Sequence, residues 1–131
     1  VLLAVGALAA CGAARPDAAT ADAVTQEFYA AVAADQRAEA CALLAPLTVE
    51  ALEDESGTPC EDAILAGDVG EALLARADDA VDPSARVAGR QAQVTTASDV
   101  LFLTVSGGTW LITAAACDAR PDRPYDCALE A

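Results

Sequence analysis

At Pro83 the chain changes its hydrophobic period. Before it, apolar residues recur at helical spacing; after it, they alternate or run in short stretches between turn signals. Helices first and antiparallel strands after is the order of an α+β domain, because neither layer buries its apolar side alone. About 120 residues beyond the apolar N-terminus make one such domain with a modest core.

Val24, Phe28, Ala31 and Val32 share one face, which predicts a helix over 23–34 capped by Asp22. A second helix is expected over 37–45, with Ala40, Cys41 and Leu44 inward and Pro46 as its stop. Thr48 then caps a short helical turn through Glu53, and 54–59 is a loop around Ser56-Gly57. Further helical pieces are expected over 61–66 and 71–77, interrupted by Gly67 and Gly70. Strands over 85–88 and 91–96 flank Gly89-Arg90 as a hairpin. Strands over 100–105 and 109–116 flank Gly107-Gly108, a strong turn signal. That makes about four strands. The third is apolar on both faces and needs cover on both. Residues 118–126, with Pro121 and Pro124, are expected to form a tail that returns to Cys127.

Residues 1–10 are almost wholly apolar and end in small residues before Cys11. They have the character of an export signal's apolar core and processing site, and are too short for a span, which takes roughly 20 residues. No Met or basic leader precedes Val1, which suggests a trimmed start. Leu8-Ala9-Ala10-Cys11 resembles the lipobox of bacterial lipoproteins. The resemblance implies that the Cys11 thiol takes up a diacylglycerol, that the signal is cut before it, and that acyl chains such as palmitate hold the protein on the extracytoplasmic face of the cell membrane. A thiolate is a suitable nucleophile for this, and two chains anchor stably where one does not. The expected division is a signal remnant over 1–10, lipidated Cys11 with a flexible linker over 11–21, and a folded domain over 22–131.

In an oxidising compartment the other four cysteines form an even set that favours disulfides. Of three possible connectivities, Cys41–Cys60 and Cys117–Cys127 each close a short local loop and are the expected pair. A metal site is the rival, but the chain has no His and no C-x-x-C pair. Asp78, Asp79 and Asp82 match no EF-hand loop and are expected to be solvated. No metal and no cofactor is therefore expected. The net charge of −14 excludes a nucleic-acid partner and opposes lying flat on an anionic bilayer. The domain is expected to stand off on its tether.

Phe28-Tyr29-Ala30-Ala31, Cys41-Ala42-Leu43-Leu44 and Pro59-Cys60-Glu61-Asp62-Ala63 resemble the N-terminal half of small secreted lipoproteins of high-GC Gram-positive bacteria. Gly107-Gly108-Thr109-Trp110, Ala115-Ala116-Cys117 and Pro124-Tyr125-Asp126-Cys127 resemble their second half. These proteins look like members of the nuclear transport factor 2-like superfamily, which also holds ketosteroid isomerases and SnoaL-type cyclases. The resemblance implies a cone: N-terminal helices packed on a curved antiparallel sheet, with a cavity between them. Isomerases of the superfamily place a carboxylate of burial-raised pKa inside the cone.

Here no His is present, the strand region carries the single carboxylate Asp99 at a turn, and nothing in the sequence pairs Tyr29 or Asp35 with it. No G-x-S-x-G motif occurs. The expectation is thus a non-catalytic binding or interaction role without catalytic residues. A small apolar ligand would sit in a pocket lined by Phe28, Tyr29, Phe102 and Trp110. With the interior filled, the sheet's outer face would instead serve a protein partner or dimer. The alternative is a cone-type isomerase or cyclase acting on a small hydrophobic substrate, which requires a buried acid facing a cavity.

Overall fold

The computed structural model describes residues 15–131. Cys11, the expected signal remnant and the first part of the expected linker lie outside them. Among the described residues, five helices precede one antiparallel sheet of strand order β1-β2-β3-β4-β5.

Helix α1 (Ala18–Ala33) starts earlier than the apolar pattern predicts. Its cap is Asp17, not Asp22: the Asp17 carboxylate accepts from Thr20 N–H at 2.9 Å, and the Asp17 N–H donates to Thr20 Oγ1 at 2.8 Å. This is a capping box with Thr in the place of Glu. The last residues of the expected linker are therefore helical. Helix α2 (Arg37–Ala42) ends at Leu43. Pro46 does not merely stop it but opens α3 (Pro46–Ser56), where proline's fixed φ and missing N–H cost nothing. Gly57, at φ +70°, closes α3. A short α4 (Cys60–Ala63) leads to α5 (Gly67–Ala77). A Cβ on Gly70 would sit 2.1 Å from the Leu65 carbonyl carbon, so only glycine lets α5 pass there.

Strands β1 (Ser84–Ala88), β2 (Gln91–Thr95) and β3 (Val100–Ser106) lie within a residue of their expected limits. Strand β4 (Thr109–Arg120) is longer than expected. The expected tail is a fifth strand, β5 (Arg123–Glu130), paired with β4 from Ala114↔Glu130 to Arg120↔Arg123. The sheet thus has five strands, not four. Pro124 is tolerated because β5 is an edge strand, where a missing N–H breaks no ladder.

The helices cover one face of the sheet. Val94, Leu101, Leu103, Trp110 and Ile112 bury against Phe28, Tyr29 and Val32 of α1, each large apolar side chain contributing about 1.5–3 kcal/mol. Strand β4 is irregular: its register shifts opposite Phe102/Leu103 and again at Asp118/Arg120, and Ala116 has φ +54°. Such bulges bend a strand and increase its twist. Where β5 ends, the α2–α3 link takes over the free edge of β4. Ala45 N–H donates to Ile112 O and Ile112 N–H to Leu43 O, both at 2.8 Å.

Both expected disulfides are present. Cys41–Cys60 joins the end of α2 to the start of α4, with Cα atoms 6.2 Å apart. Cys117–Cys127 links directly opposed residues of β4 and β5, with Cα atoms 3.9 Å apart. No helix among the described residues is long and apolar enough to cross a membrane.

Candidate functional site

The β2–β3 connection builds the most polar point of the interior. Thr96 Oγ1 accepts from Ser98 N–H at 3.3 Å and from Asp99 N–H at 3.0 Å. This hydroxyl-closed turn sets Asp99 just before β3 with its side chain fully buried. Asp99 is at a turn, as the sequence suggests, but it faces the core.

A buried carboxylate is tolerated only when its oxygens are satisfied and its charge is paired. Asp99 Oδ1 accepts from Val100 N–H and Cys117 N–H, each at 2.8 Å. Oδ2 accepts from Ala116 N–H at 3.0 Å and from the Tyr29 hydroxyl. The left-handed backbone of Ala116 turns its own amide and the next toward the same carboxylate. Holding a non-glycine residue there costs on the order of 1–3 kcal/mol, which the carboxylate contacts offset. Arg76 of α5 supplies the counter-charge: its Nε lies 3.6 Å from Asp99 Oδ1. Its Nη1 donates to Ala72 O at 2.9 Å and its Nη2 to Asp118 Oδ1 at 3.0 Å.

Sequence reasoning left Tyr29 without a strand acid; the structure joins Tyr29 to Asp99. Burial, reinforced by the Asp99 charge and hydrogen bond, pushes the Tyr29 phenol far above its ordinary pKa. It stays a neutral donor. The cluster ties α1, α5, β3 and β4 at one point. Arg76 carried no sequence signal beyond being the first cation after Arg37.

The expected pocket residues are distributed differently. Phe28 and Tyr29 are both buried and meet edge to face, with ring centroids 5.2 Å apart. Trp110 lies on the same side of the sheet, and its Nε1–H donates to Asp17 O at 2.9 Å, fastening the start of α1. Phe102 is on the other side. Leu101 and Leu103 point inward, so strand alternation turns Phe102 outward. There it meets Tyr125 edge to face at 5.2 Å, and Gln93 Nε2 reaches the Tyr125 hydroxyl at 3.4 Å. The four aromatic side chains do not enclose one space.

Four concavities open at the surface of the described residues, and none of these four is lined by Phe28, Tyr29 or Asp99. Trp110 borders one of about 220 Å³ with Pro16, Thr20 and Val24. The largest of these four, about 410 Å³, runs between α3, α4 and α5. Among the described residues no group of three or more Cys, His, Asp or Glu side chains is gathered to hold a metal ion.

No family model, no curated protein and no solved structure matches this chain.

Proposed function

We propose that the chain is a lipid-anchored extracytoplasmic domain, held at the cell membrane through Cys11, with a non-catalytic binding or interaction role. The finer fold reading that goes with it is a cone of the nuclear transport factor 2-like kind. The observation that carries the non-catalytic reading is the saturation of Asp99. A general acid or base must come within hydrogen-bond reach of its substrate. Both Asp99 oxygens are already occupied by protein donors. Two disulfides support the oxidising compartment. With Phe28, Tyr29 and Trp110 buried by neighbouring side chains, the reading shifts from a ligand inside the fold to a contact on its surface.

The rival is an isomerase or cyclase. Its specific support is the buried Tyr29–Asp99 pair, a donor and a carboxylate under the helices. It requires a substrate-sized space beside them.

Two measurements test the proposal. Cys11→Ser should move the protein from the membrane fraction to the soluble one, and its persistence on the membrane would count against the anchor. Native mass spectrometry of protein purified from its host should show a retained small molecule, a partner or a dimer. A bare monomer counts against the binding role.

A further inference from the structure

We infer that the groove between α3, α4 and α5 is a binding site for a small amphiphilic cation, an ammonium group carried on an apolar body. This deepens the binding role proposed above and makes no use of the lipid anchor.

The groove encloses about 410 Å³, within the range of small-molecule sites. Its floor is apolar: Leu52 of α3 and Ala63 of α4, both buried, and the half-buried Val69 of α5. Its rim carries Glu55, Asp62 and Asp68, all exposed. None of the three takes part in an ion pair or side-chain hydrogen bond among the described residues. Between Arg37 and Arg76 the chain carries nine carboxylates and no cation. A neutral apolar molecule would use only the floor. A bare metal ion would use only the rim, where no ligand set is gathered. An anion would be repelled. An ammonium group on an apolar body satisfies both surfaces at once, and the net charge of −14 raises the local concentration of such cations.

The walls are fixed before any ligand arrives. Cys41–Cys60 holds the start of α4. Glu53 Oε1 accepts from Cys60 N–H at 2.9 Å, joining α3 to α4. Gly70 lets α5 lie directly on the Leu65 backbone. A site organised in advance loses little ordering entropy on binding.

The test is an amide-resolved NMR titration of the intact chain with 4-phenylbutylammonium, set against the neutral 4-phenylbutanol and the anionic 4-phenylbutyrate. The ammonium should shift Leu52, Ala63 and Val69, bind more tightly than the alcohol, and weaken as salt is added. An exposed charge pair contributes up to about fivefold, so Glu55→Gln/Asp62→Asn/Asp68→Asn should weaken binding by about tenfold. A thermal melt checks that the triple variant folds; if it does not, the alcohol comparison and the salt series decide. Equal binding of alcohol and ammonium, shifts elsewhere, or no shift at all would overturn the groove assignment. The Cys11→Ser fractionation has its own readout, so the two proposals fail separately.

Discussion

Asp99 holds two strands and two helices through one carboxylate. Asp99→Asn removes the charge that faces Arg76 and leaves donors at Ala116, Cys117 or Tyr29 unmet. The expected loss is about 3–5 kcal/mol in urea unfolding. Tyr29→Phe removes a single donor to a charged group, an expected loss of about 1.5–3 kcal/mol with the fold retained. Equal stability of both variants with the parent would show that the cluster is dispensable. Asp17 gives a second prediction. Thr20's amide and hydroxyl hold its carboxyl below the usual range. Its folded pKa is therefore below its unfolded one. The stabilisation it gives is present above the ordinary carboxylate range and is lost as pH falls through the folded pKa. Asp17→Ala should lower the Tm at pH 7, and the gap should close toward acid; a pH-independent gap would assign the effect to something other than the ionised cap. At this scale the cysteine pairing was legible, because short loops favour local partners. The Asp17 cap was hidden by a Thr standing where Glu is usual and by Asp22 as a competing cap. The Tyr29–Asp99 contact joins residues 70 positions apart, and no local pattern carries that information.

Elements were legible in proportion to how regularly they bury apolar residues. Strand β2 alternates and β3 is a short apolar run between turn signals, and the limits of both follow from the pattern. Strand β5 was missed because an edge strand need not be apolar: Arg123, Pro124, Asp126 and Glu130 are exposed, and only Leu129 is fully buried. Pro46 was misread because proline both ends one helix and begins the next. Gly70 supplies the prediction at this level. Gly70→Ala forces a methyl onto the Leu65 backbone, so α5 must shift away from the α4–α5 link. Overpacking of this kind costs about 1–3 kcal/mol, and denaturant titration should find a loss in that range. A neutral or stabilising result would mean that α5 can move freely.

In the whole molecule, helices occupy one side of the sheet and the Phe102–Tyr125 pair lies on the other. The α+β order was legible from the period change at Pro83. The strand count and the bending of β4 were not, because neither the register shift at Thr113 nor the left-handed backbone of Ala116 is marked by a distinctive residue. The two disulfides act on different layers, one among the helices and one at the sheet edge. Cys117→Ser/Cys127→Ser should therefore accelerate amide hydrogen exchange in β5 while leaving β2 and β3 protected. Uniform acceleration would show that the edge bridge supports the entire domain.

Asp17 caps α1 only six positions after Cys11. Even a fully extended backbone of that length reaches roughly 20 Å, less than the breadth of a domain this size. Were Cys11 lipidated as proposed, the body would be leashed rather than set adrift. On that proposal the end bearing Asp17, Trp110 and the Gly107-Gly108 turn would stay beside the headgroups, and whatever the domain meets, it would meet within one molecular diameter of the bilayer.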